Sequence, residues 1–367
     1  MLARRRVLFT GALVAAAWGT LAMPRRVRAA RFVASLGAES GAAGAGGDVI
    51  ASDVVIPHGQ AHIRARVYRP AQAGRRPGLV VAHGVHYRGI DERRLVPFAR
   101  ALAATGRVVL TPELADLTDY RITEQGTAVI IRAARWLSDR AELLDSPRVG
   151  VLGFSFAGGL ALVAGGSAEL AGRLAFVTSV GGHHDLGRVL GFLLSDRIAT
   201  PSGTIPSHAH EYGLVILLYR YLDGFVAETD RALCRDALRA WLHEDRPQAR
   251  ALAQQTTEPT RRLFELLESG RLRSLAPELR QRIDGEGPRL RELSPSGQLA
   301  RLTVPVYLLH GAGDSVIPPS ETDWAARELG NQPHAALVSP LIEHVELNQD
   351  ASLRDELALV EFLANMF

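Results

Sequence analysis

The chain has 367 residues, with 42 basic side chains against 39 acidic ones, a formal net charge of +3, 47% hydrophobic residues and one cysteine. Every basic residue is arginine, which excludes a lysine Schiff base, a pyridoxal-phosphate anchor and a P-loop lysine, and the single Cys234 excludes an internal disulfide and a cysteine zinc cluster. Seven arginines fall within residues 1–31, which carry no acid; the remainder holds 35 arginines against 39 acids, and its net −4 argues against a nucleic-acid surface.

Residues 1–31 read as a signal peptide or signal anchor. Arg4, Arg5 and Arg6 precede the uncharged run Val7 to Met23, and Pro24 and a second arginine cluster follow it. At 17 residues the run is short for a free-standing span, which needs ~20. Arg4-Arg5-Arg6-Val7-Leu8 has the form of a twin-arginine export signal, and the small residues Thr20 and Ala22 offer a cleavage site before Met23. Pro24 and the arginines beyond it would instead suit an uncleaved anchor. The expected localisation is export, or tethering to a membrane by this segment. Residues 32–50, rich in Ala, Gly and Ser from Ala34 to Gly47, read as a flexible linker, with the folded body beginning near Asp48.

Ile63 to Tyr68 alternates apolar and polar residues, as a half-buried strand does. Gly78 to Ala82, Val108 to Thr111, Val149 to Gly153, Leu174 to Val180, Val304 to Leu309 and Ala335 to Val338 are short apolar runs of the kind buried on both faces of a sheet. Between them lie amphipathic segments. Glu92 to Ala104 carries Leu95, Phe98, Ala99 and Leu102 on one stripe, and Ile122 to Arg140 carries Val129, Ile130, Ala133 and Leu137. Strands alternating with helices imply right-handed crossovers, and so an α/β fold with a mostly parallel sheet covered by helices on both faces and ligands at the carboxyl ends of the strands. The body occupies 51–183 and 299–367. Residues 184–298 between them show no clear strand and read as helices at Tyr212 to Val226, Arg231 to His243, Pro247 to Gln254, Arg261 to Leu267 and Pro277 to Ile283. This is a helical cap inserted before the penultimate strand.

Val149-Gly150-Val151-Leu152-Gly153-Phe154-Ser155-Phe156-Ala157-Gly158-Gly159 runs a buried strand into a serine and then into a small-residue helix. A sharp strand-to-helix turn tolerates only small side chains two positions either side of the serine, and Gly153 and Ala157 meet that demand, so this is a G-x-S-x-G elbow with Ala in the last place. The Phe156 N–H then becomes one donor for a developing oxyanion, and the loop His83-Gly84-Val85 supplies the second through the Val85 N–H. A serine nucleophile needs a histidine to take its proton and a carboxylate to orient that histidine. Asp314 follows the strand Val304 to Leu309, and His344 follows the run Ala335 to Val338, giving the order Ser155, Asp314, His344. Asp185 is a rival for the acid, and His310 and His334 are rivals for the histidine.

These ordered motifs resemble the α/β-hydrolases over residues ~50–367, most closely the dienelactone-hydrolase and prolyl-oligopeptidase-like branches. The resemblance implies a serine hydrolase that needs no cofactor and cleaves a small-molecule carboxylic ester, less readily an amide, through an acyl-enzyme on Ser155. The alternatives are an acyltransferase using the same intermediate and a non-catalytic binding protein on the same fold. His86, Tyr87 and Arg88 follow the oxyanion loop and are placed to meet substrate or to solvate its rim. His183-His184-Asp185 and His208-Ala209-His210-Glu211 have the crowding of metal ligands without a strand to hold them, so no metal is expected. Leu214, Leu217, Leu218, Tyr221, Leu222 and Phe225 fall at helical spacing as an apolar stripe, expected to pack the cap onto the body, with a lid lining an apolar substrate pocket as the alternative. No oligomeric state follows from the sequence.

Overall fold

The computed structural model describes residues 23–37, 48–343, 346–347 and 352–367. Helix α1 (Met23–Gly37) precedes an antiparallel pair, β1 (Val49–His58) and β2 (Ala61–Pro70). The body continues through β3 (Arg76–Ala82), α2 (Leu95–Ala104), β4 (Val108–Pro112), the single turn α3 (Ala115–Thr118), α4 (Glu124–Ser138), β5 (Leu144–Phe154), α5 (Phe156–Gly165) and β6 (Leu174–Val180). The insertion contains α6 (Leu186–Ser195), the hairpin β7 (Arg197–Thr200) and β8 (Gly203–Pro206), α7 (Glu211–Arg220), α8 (Arg231–Leu242), α9 (Arg246–Ala253), α10 (Glu258–Glu268), α11 (Ala276–Gly285) and α12 (Gly287–Glu292). The body resumes with β9 (Val306–Gly311), α13 (Ser320–Leu329), β10 (His334–Ser339), the short pair β11 (Ile342–Glu343) and β12 (Glu346–Leu347), and α14 (Leu353–Ala364).

Eight strands form one sheet in the order β1-β2-β4-β3-β5-β6-β9-β10. The β1/β2 and β2/β4 pairs are antiparallel and the other pairs are parallel. Because side chains alternate across a strand, each central strand feeds two cores. Val80, Ala82, Leu110 and Val151 face the cluster that contains α4, α5 and the cap. Leu79, Val81, Val109 and Leu152 face the cluster built with α1, α2 and α14. The sheet is therefore covered on both sides, and the cap shares one core with the body instead of forming a core of its own.

The structure departs from the expected elements in four places. The expected linker at 32–50 begins as the end of α1, because Phe32 and Val33 are buried and Phe32 packs edge-on against Phe98 at 5.2 Å between ring centroids. Ala335 to Val338 lies in β10, which is an edge strand with Val338 exposed, since only β9 pairs with it in the sheet. The insertion holds the hairpin β7–β8, whose mostly exposed residues give no apolar run to read. The expected helix Tyr212 to Val226 ends at Arg220, and a separate 3₁₀ turn covers Leu222–Gly224. Residues 1–22 and 38–47 lie outside the described residues, and so do most of the leader and linker. Among the described residues no helix is long and apolar enough to cross a membrane.

Phe32→Ala is expected to lower the unfolding free energy by about 3 kcal/mol through lost burial and a residual cavity. The exposed Arg31→Ala should stay within about 0.5 kcal/mol. Urea denaturation of the two variants beside the parent checks that α1 belongs to the folded unit.

Candidate active site

Ser155 stands between β5 and α5 at φ 53° and ψ −132°, a backbone region that a residue with a Cβ seldom occupies. The turn is fixed from both sides. The Ser155 N–H donates to the Val180 carbonyl of β6 at 2.8 Å, and the Ser155 carbonyl accepts from the Gly158 N–H at 2.8 Å. A Cβ on Gly153 would lie 2.1 Å from the Ala157 carbonyl oxygen, so the crowding inferred for the elbow is real, and glycine is required there. Ala157 itself is fully buried and its methyl is accommodated. Ser155 is only 6% exposed.

The loop after β3, the strand beside β5, packs directly on the serine. A Cβ on Gly84 would stand 3.1 Å from the Ser155 Cβ. His83 is buried beneath this loop. Its Nε2 accepts from the Leu114 N–H at 2.9 Å, which leaves the proton on Nδ1, and Nδ1 donates to the Gly84 carbonyl at 2.8 Å. In a trans peptide the N–H points opposite its carbonyl, so the Val85 N–H is turned away from His83. Neither Val85 nor Phe156 uses its N–H in a bond to a described residue. For Phe156 this is the ordinary state of a helix's first turn.

Asp314 lies in the turn after β9, at the same carboxyl edge, and is 3% exposed. Its Oδ1 accepts from the Val316 and Ile317 N–H groups at 2.9 and 3.0 Å, and its Oδ2 lies 3.5 Å from His310 Nε2. His310 is fully buried and committed elsewhere: Nε2 donates to the Ile317 carbonyl at 2.9 Å, and Nδ1 meets the Thr322 hydroxyl at 2.9 Å. His334 opens β10 opposite Val306, at the far edge of the sheet. Asp185 caps α6 by accepting the Arg188 N–H at 2.8 Å. His344 lies outside the described residues. Ser339, the last residue of β10, pairs with Gly311 beside the Asp314 turn, and position 344 follows five residues later.

No protein-family model matches the chain, and no curated protein matches it. Solved structures do. An acylaminoacyl peptidase in complex with Z-Gly-Gly-Phe-chloromethyl ketone superposes with a TM-score of 0.51 at 12% identity, covering 87% of this chain and 41% of that one. A Pyrococcus horikoshii acylaminoacyl peptidase gives a TM-score of 0.50 at 12% identity with the same coverage. The chain has the α/β-hydrolase fold. It spans about two-fifths of the length of these two peptidases.

On this α/β-hydrolase sheet the cap packs against the loops beside Ser155. Tyr87 stacks on His243, which follows α8, at 4.2 Å between ring centroids, and the Tyr120 hydroxyl donates to the Leu242 carbonyl at 3.1 Å. The rim residues His86, Tyr87 and Arg88 thus belong to the joint with the cap. His86 Nδ1 accepts the Arg88 N–H, and Arg88 Nε donates to the Tyr87 hydroxyl. An apolar cavity of about 20 Å³ lies between cap and body, walled by Tyr120, Ile122, Phe156, Leu190, Ile216 and Leu217. The metal-like clusters are occupied by protein partners. His183 Nε2 donates to the Leu293 carbonyl, His184 meets Glu328 at 2.7 Å, and the His210 Nδ1 accepts the Tyr212 N–H. Among the described residues no group of three His, Cys, Asp or Glu side chains is arranged to hold a metal ion. Cys234 is buried in α8, and burial pushes its thiol up to about 12. Sequence reasoning gave no role to His83, Tyr120 or Tyr212. The positive φ of Tyr120, 57°, has no signature in a tyrosine's neighbours.

Burial pushes the His83 imidazole down to about 4 and lowers His86, His183 and His243 as well. In the unfolded chain these groups take up protons as the pH falls through about 6.5, whereas the folded chain resists until lower pH. The unfolded state then binds more protons, so stability falls as pH falls. Folding free energy should decline between pH 7 and 5, with His83 accounting for roughly 2 kcal/mol. Urea melts across that interval should show the decline in the parent and a flatter curve in His83→Asn.

Proposed function

We propose that the protein is a serine hydrolase that cleaves a carboxylic ester through an acyl-enzyme on Ser155. The observation that carries the reading is the strained Ser155 turn, with the Gly84–Val85 loop packed against it and the Phe156 and Val85 N–H groups making no bond to a described residue. An oxyanion forming beside Ser155 would take both donors, and each such donor is worth about 10²–10³ in turnover. In this reading His344 takes the Ser155 proton as the hydroxyl attacks and passes it to the leaving alcohol. Asp314, whose Oδ1 is fixed by two backbone N–H groups, orients His344 and stabilises the imidazolium. Water then repeats the sequence on the acyl-enzyme.

Ser155→Ala should lower turnover of p-nitrophenyl esters by at least about 10³-fold while the circular dichroism spectrum is unchanged. Esters of rising chain length, run beside the matching p-nitroanilides, test the choice of ester over amide. Full activity in Ser155→Ala would refute the reading.

We also propose that residues 1–31 direct export or tether the protein to a membrane. A cut before Met23 would leave α1 whole. Sequencing the N-terminus of protein recovered from the producing cell checks this; an intact Met1 on soluble cytosolic protein would sink it.

A further inference from the structure

The segment from Ala209 to Tyr212 crosses the catalytic edge as a strap. The His210 N–H donates to the carbonyl of Ser315, next to Asp314, at 2.8 Å. Two residues on, the Tyr212 hydroxyl donates to the Val85 carbonyl at 3.5 Å. The strap thus touches the loop after β9 and the loop after β3, the strands that flank β5 and β6 in the sheet. Its own footing lies in the cap. The Ala209 N–H donates to Asp196 Oδ1 at 2.7 Å, and Arg273 pairs with the same carboxylate at 3.0 Å. Gly213 sits so close to Leu193 that a Cβ there would lie 2.6 Å from it, which fixes where Tyr212 leaves the backbone.

We infer that Tyr212 is a positioning residue: by holding the Val85 carbonyl from the cap, it sets the Val85 N–H as an oxyanion donor, so turnover requires the cap to be seated. The inference rests on the acyl-enzyme reading of Ser155. The Val85 N–H lies between two anchored carbonyls. Gly84, whose carbonyl belongs to the same peptide group, is held from the body by His83 at 2.8 Å. Val85 is held from the cap by Tyr212. The body-side bond is present wherever the cap stands, whereas the cap-side bond is lost if the cap lifts. Tyr212 is suited to the task. It makes an edge-on contact with the Tyr120 ring at 6.4 Å, and burial raises its phenol above the usual range, so the hydroxyl stays a donor.

Tyr212→Phe keeps the ring and removes only the hydroxyl. The expected result is a kcat for p-nitrophenyl esters about tenfold lower, with KM within twofold and the urea midpoint unchanged. The affinity of a trifluoromethyl ketone, which forms an oxyanion on Ser155, should fall in parallel. A packing role alone predicts parent-like kcat and inhibitor affinity in this variant, and that result would overturn the inference. A raised KM at unchanged kcat would also overturn it, because Tyr212 would then bind substrate and not position a donor. Ser155→Ala in the same assay separates the two claims. If it keeps full activity, the acyl-enzyme reading fails; if it is inactive while Tyr212→Phe matches the parent, only the role of Tyr212 fails.

Discussion

A serine held at φ 53° between a buried strand and a buried helix is the constraint on which the rest of the structure depends. Such a conformation costs of order 1–3 kcal/mol and persists only where its surroundings over-determine it. Here they do so through the Val180 and Gly158 hydrogen bonds and through glycines that leave no room for a methyl group. The consequences run outward along α5. Gly158 admits the Ser179 side chain and Gly159 admits the His183 ring, so α5 lies tight against the end of β6. His183 then donates to the Leu293 carbonyl just beyond α12, at the far end of the insertion. The strained turn and the exit of the cap are therefore joined through one buried ring.

The cap is held where it enters and where it leaves the body. Glu321 of α13, 1% exposed, accepts from the His184 and Asp185 N–H groups at the entry and pairs with Arg188 at 2.6 Å. Glu328, two turns further along α13, accepts from the Gly297 and Leu299 N–H groups at the exit and meets His184. A buried carboxylate stripped of such partners would be strongly destabilising, so α13 sets the position of both connections. The shared apolar core then carries the fit inward, from Leu214 and Leu217 of α7 to Phe156 and Leu160 of α5. A cap fixed in this way keeps a set position against the sheet edge that carries Ser155.

Much of the body was legible because a central parallel strand is apolar on both faces and so leaves a continuous run, as in Val149 to Gly153 and Leu174 to Val180. The same rule misread Ala335 to Val338, where the apolar residues belong to an edge strand. It was silent on the β7–β8 hairpin, where β8 is exposed throughout and β7 buries only Ile198, too little for a period. α1 was hidden by composition. Its arginines read as the end of a leader, and only the packing of Ala29, Phe32 and Val33 against the core shows it as part of the fold. The site divides along the same line. Ser155 and its glycines are written in one short stretch, while His83 and Asp185 look alike as polar residues after strands, and only their partners separate a loop support from a helix cap.

By itself the sequence determined the chemistry that neighbours in the chain impose on one another: arginine without lysine, the small residues that permit a sharp turn at Ser155, and apolar runs that must pair into a covered sheet. Tertiary structure alone decided what faces that turn. Tyr212 meets Val85 across 127 residues of chain, and His83 meets Leu114 across 31. Such contacts carry no local signature, because they depend on how the cap and the body pack and not on the conformation either segment prefers alone.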